Sequence, residues 1–149
     1  MPRYTVAATK AGVNTANTIM WQMRAAAGSY IRLVELAVSV ATAPTTGPSW
    51  RLNRPTAIGT STATVTPQTE DVDVAAAVTR LDTTWSAAPT LAATDARIYA
   101  TPNAIGSGIV WTWYDRPYRV PGSGGLCLVN GNAAGATLGL FAIYCIFDE

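Results

Sequence analysis

"SYIRLVELAVSVA", residues 29–41, is the stretch on which the fold turns. Val34, Leu36, Val38 and Val40 fall on one face at a period of two. Ile31, Leu33, Glu35, Ala37 and Ser39 fall on the other, which begins apolar and becomes polar. A helix would need apolar residues every three or four positions, whereas alternation belongs to a strand covered mainly on one side. The expectation is therefore a β-strand at the heart of a sheet.

The rest of the chain is punctuated to match. Pro and Gly recur between short runs rich in Val, Ile, Thr and aromatic residues, as in Pro44-Thr45-Thr46-Gly47-Pro48 and Pro121-Gly122-Ser123-Gly124-Gly125. Further strands are expected at 4–9, 18–26, 49–56, 62–67 and 72–81. In the last, Val72, Val74, Ala76 and Val78 alternate with Asp73, Ala75, Ala77 and Thr79, so the Ala-rich composition is read as strand and not helix. "ARIYATP" (96–102) and "GIVWTWY" (108–114) predict one hairpin; "GLCLVN" (125–130) and "ATLGLFAIYCIF" (136–147) predict another around an Asn-Gly-rich turn near 131–135. No stretch keeps a helical apolar period. Strands at this spacing imply an all-β, antiparallel sandwich or barrel with little or no helix.

A chain of 149 residues suits a single domain. Residues 29–149 are expected to form its β-sandwich. Residues 1–28 are an N-terminal segment with possible first strands, acting either as an arm that adds a strand to a neighbour or as the ordinary start of its own sheet. Only 13% of residues are charged and the net charge is +1, which suggests a surface largely covered by partners. Lys10 is the single lysine against nine arginines. Arginine suits interfacial ion pairs because its planar fork holds a carboxylate with two bonds; an Arg-rich genome is the plainer explanation. No basic stripe points to nucleic acid, and no run nears the roughly 18 apolar residues that span a bilayer. Met1-Pro2-Arg3-Tyr4 lacks the apolar core of a signal peptide, so synthesis in a cytoplasm is expected.

Catalytic equipment is sparse. Histidine is absent, which removes the commonest general base and metal ligand. Glu70-Asp71-Val72-Asp73 is the only acidic cluster; it reads as a cation site, half of a glycosidase pair, or a solvated loop entering a strand. Asp82 and Asp95 cannot be placed without a fold. In the expected hairpin, Cys127 lies opposite about residue 140, roughly five residues or about 16 Å from Cys145, too far for a disulfide. Two buried free thiols are expected, with an interchain bridge as the alternative. No catalytic residue, cofactor or metal is expected, and the protein reads as a non-enzyme.

Four stretches together resemble a group of bacteriophage virion proteins. They are "YIRLVELAVSVATAPT", "WRLNRPTAIGTSTATVTPQTED", "VTRLDTTWSAAPT" and "IGSGIVWTWYDRPYRVPGSGGLCLVNGNAAGATL". The group comprises small jelly-roll head decoration, cement or head-fibre proteins, and the likeness spans roughly residues 29 to 147. It implies a jelly-roll sandwich and a homotrimer on the outer capsid surface that binds the major capsid protein and clamps the shell. Arg51, Arg54, Arg116 and Arg119, each beside Trp50, Pro55, Pro117 or Tyr118, are candidate contacts. Trp111, Trp113 and Tyr118 are candidate interface aromatics. The alternative is a receptor- or carbohydrate-binding fibre module, in which those three rings stack on sugars of a host-surface glycan while Asp115, Arg116 and Asn103 bond hydroxyls. Two tryptophans spaced by two share a face, which favours core or interface over a sugar shelf.

Overall fold

The computed structural model describes residues 1–13, 15–132 and 139–149. Among them are twelve strands and no helix: β1 (Arg3–Ala11), β2 (Thr18–Arg24), β3 (Ile31–Thr42), β4 (Ser49–Asn53), β5 (Thr60–Val65), β6 (Gln68–Thr69), β7 (Arg80–Ala87), β8 (Asp95–Ala100), β9 (Gly108–Thr112), β10 (Tyr118–Val120), β11 (Gly125–Asn130) and β12 (Leu140–Asp148). They form two antiparallel sheets packed as a β-sandwich. One runs β10-β3-β12-β1-β6, with β9 also on β3; the other runs β5-β7-β2-β11-β4-β8. Residues 1–28 supply β1 to the first sheet and β2 to the second.

Chain connections cross between the sheets, so sequence neighbours seldom pair. Partners nest instead: β1 with β12, β2 with β11, β3 with β9 and β10, β4 with β8. Both expected hairpins are corrected by this order. The strand at 95–100 pairs with β4 while that at 108–112 pairs with β3, in the opposite sheet. Likewise β11 and β12 lie in different sheets. Much of the turn expected near 131–135, and the first residues of the strand expected from 136, lie outside the described residues. The expected strand at 72–81 is also corrected: β7 begins only at Arg80. Residues 72–79 are instead pinned across the end of the sandwich. The Tyr4 hydroxyl donates to the Ala75 carbonyl, and the Val78 and Thr79 amides donate to Glu149 Oε2. Side-chain anchors of this kind satisfy the backbone without a ladder, and Val72 is left 95% exposed.

β3 explains its own change of pattern. Phe147 pairs with Leu33 and Ile146 with Glu35, so Val34 is an extra residue on β3. Such a β-bulge flips the alternation. Ile31 and Leu33 point inward before it, and Leu36, Val38 and Val40 after it, all in one core cluster. Glu35, Ala37 and Ser39 are thereby turned to the outer surface. The core between the sheets also holds Trp21, Trp50, Leu52, Leu126, Leu128, Phe141 and Phe147. Each fully buried large side chain is worth about 1.5–3 kcal/mol, the main force joining the sheets. Cys127 and Cys145 are free and buried, one in each sheet. Burial, with Asp82 nearby, pushes the Cys127 thiol up to about 12, and burial also raises that of Cys145. Neither thiol is poised for exchange with another chain.

Candidate functional site

The strand β9 and the turn after it carry the aromatic stretch. Trp111 and Trp113 face inward, half-buried, and pack against the core cluster with Tyr118. The Trp113 amide donates to the Val34 carbonyl at the bulge, 2.8 Å away. Its ring lies 5.8 Å from that of Tyr118. Rings held like this are spent partly on packing against the core.

Two of the four candidate arginines meet at the same edge. Arg54 Nε donates to the Tyr118 hydroxyl at 2.8 Å and Nη2 to the Arg119 carbonyl at 3.1 Å. The Arg54 guanidinium also sits 4.7 Å from the Tyr118 ring centre. Arg119 stacks 4.3 Å over Tyr30. The Arg54 contacts tie the loop after β4 to β10, one sheet to the other, while the Arg119 contact joins β10 to the start of β3. Arg51 lies elsewhere, on β4, where Nη1 donates to Asn17 at 3.2 Å and lies 3.8 Å from Asp95. Arg116 is exposed and makes no ion pair or hydrogen bond among the described residues.

Beyond the bulge, the outer face of the β3 sheet holds a group that sequence reasoning missed. Glu35, only 9% exposed, accepts hydrogen bonds from both Tyr114 (2.6 Å) and Tyr144. Those bonds hold its carboxyl below the ordinary carboxylate range and raise both phenols. Beside Tyr144 runs a shallow groove of about 680 Å³, floored by small residues including Ala7, Ala37, Ser39, Gly108 and Ala142. Val110 (54% exposed) and Tyr144 (40%) line it, and Tyr114 (66%) is linked to Tyr144 through Glu35. The one hint in the sequence was Glu35 itself, a lone carboxylate in an apolar strand. Its partners, 79 and 109 residues away, carry no local signal.

A pH prediction follows from this trio. Because the folded carboxyl is depressed, Glu35 contributes stability above the ordinary carboxylate range, and that contribution disappears as pH falls through its folded value. In Tyr114→Phe/Tyr144→Phe, Glu35 should titrate at higher pH than in the parent, as followed by carboxyl-carbon NMR. An unchanged midpoint would mean that the two phenols do not hold the carboxylate.

The acidic residues do not converge on a reacting centre. Glu70, Asp71 and Asp73 are exposed in loop backbone, and among the described residues no three His, Cys, Asp or Glu side chains are grouped to hold a metal. Asp82 pairs with Arg24, and Asp95 with Arg51 and Asn53. No helix of the described residues is long and apolar enough to cross a membrane. No family model, curated protein or solved structure matches the chain.

Proposed function

We propose that this chain is a non-enzymatic structural subunit of a bacteriophage particle, a decoration protein that binds the major capsid protein on the outer shell as a homotrimer. The observation that carries the reading is the outer face of the β3 sheet. It is floored by small side chains, rimmed by exposed Val110 and Tyr144, and has its Glu35 charge capped by the phenols of Tyr144 and exposed Tyr114. A face with so little charge can pack about a threefold axis against neighbouring copies of the chain without repulsion, and these are the occupants we assign to it. The nested strand pairing supports a jelly roll: once β5–β7 are set aside, four strand pairs wind about one core. Of the four candidate arginines, Arg116 alone makes no hydrogen bond, ion pair or ring contact among the described residues, and we assign it to the shell. The glycan-binding alternative is less favoured by the packing of half-buried Trp111, Trp113 and Tyr118 on the core.

The test uses Val110→Glu and Arg116→Ala, both at exposed positions. Sedimentation should find the parent self-associated and Val110→Glu monomeric with unchanged circular dichroism. Arg116→Ala should stay associated but bind purified capsids more weakly. A monomeric parent would remove the self-contact, and capsids equally heat-stable with and without the protein would remove the decoration role.

A further inference from the structure

The outer face of the second sheet carries a different kind of site, at β2 and β7. Arg24 and Arg80 are directly opposed across this antiparallel pair, next to the opposed pair Gln22 and Asp82. Like charges facing each other on neighbouring strands repel. Asp82 offsets one of them, lying 3.4 Å from Arg24 Nε. Arg80 has no hydrogen bond or ion pair among the described residues, and it is exposed.

Both arginines line a cleft of about 790 Å³, with Thr79, Ser123, Ile58 and Val65 among its walls. Thr79 forms part of its lining, 2% exposed, with a buried hydroxyl that has no partner among the described residues. No carboxylate side chain lines the cleft. Glu149, the nearest other acid by contact, is engaged from outside it by the amides of Val78 and Thr79. The cleft thus offers two guanidinium groups, one of them without a counter-ion among the described residues. That is a demand for an anion with several acceptor oxygens. A phosphate group brings roughly two negative charges and three oxygens to two guanidiniums, where a carboxylate brings one charge and two oxygens. The volume far exceeds one phosphate and suits a small organic ligand, for which Ile58 and Val65 supply apolar wall.

We propose that this cleft binds a small phosphorylated molecule, its phosphate between Arg24 and Arg80. The probes are inorganic phosphate and phenyl phosphate, each compared with chloride at matched ionic strength, by thermal unfolding and titration calorimetry. Phosphate should raise the melting temperature by binding the folded state. Arg80→Gln, at an exposed position without a hydrogen bond or ion pair among the described residues, should keep the fold and weaken binding about tenfold or more, as loss of a charge-assisted bond does. Arg97→Gln, on β8 beyond β2, β11 and β4, should bind as the parent does. Equal melting in phosphate and chloride would overturn the site, as would equal weakening by Arg97→Gln, which would reduce it to general charge. Phenyl phosphate should bind more tightly than inorganic phosphate; equal affinity would overturn the organic part of the ligand.

Discussion

Trp50→Ala is expected to lower stability by about 3–5 kcal/mol, the usual cost of emptying a fully buried aromatic site. Trp50 is on β4 of the second sheet and has no exposed surface. Its ring meets Phe141 of β12, in the first sheet, edge-on at 4.9 Å. Its Nε1–H donates to Thr101 Oγ1 at 3.1 Å, a buried bond. Truncation therefore removes contact across the sandwich and strands a hydroxyl that is 6% exposed. Since domains of this size hold about 5–15 kcal/mol in total, the variant should lie near the edge of folding at 37 °C. Trp50→Phe separates the two losses. It keeps most of the packing and forfeits the hydrogen bond, so its cost should be only about 1–2 kcal/mol. Urea unfolding followed by circular dichroism measures both. A Trp50→Ala deficit under about 1 kcal/mol would contradict the packing of β4 against β12.

What could be read from the residues alone divides along physical lines. Alternation in β3 is local, because successive side chains of any strand point opposite ways, and residues 29–41 carried it plainly. Even the bulge left a trace: the face with Ile31 and Leu33 turned polar at Glu35 because Val34 shifts the phase. Pairing is not local. Arg3 of β1 lies against Asp148 of β12, and nothing in either segment names the other. Short Gly-containing loops made hairpins of 96–114 and 125–147 look natural, yet each of these loops crosses from one sheet to the other. The Ala-Val run at 72–79 alternates like a strand, but no neighbouring strand pairs with it. The same distinction governs the sites. The tryptophans were correctly given one face by their spacing. The Glu35 trio, the Arg54–Tyr118 contact and the Arg24–Arg80 pair are products of long-range pairing, and local patterns hold no record of them.

The second large effect is expected from Arg24→Met, and it rests on an asymmetry within one ion pair. Asp82 has no side-chain exposure, whereas the Arg24 side chain keeps 23%. Neither Asp82 oxygen has a hydrogen-bond partner among the described residues, so Arg24 is the principal group compensating a carboxylate taken out of water. Removing a partner from a buried pair costs about 3–5 kcal/mol because the remaining charge is stranded. Arg24→Met should therefore fall in that range. Asp82→Leu should cost less, since the freed guanidinium is already part-solvated and can turn to water. The double variant, Arg24→Met/Asp82→Leu, strands no charge and should be more stable than Arg24→Met alone. A double-mutant cycle in urea reads all four proteins. If Asp82→Leu were the costlier single change, Arg24 would be the more confined partner, and the burial of Asp82 would be wrong. If the two single costs simply added, the 3.4 Å pair would carry no coupling, and Asp82 would need another source of compensation on that face.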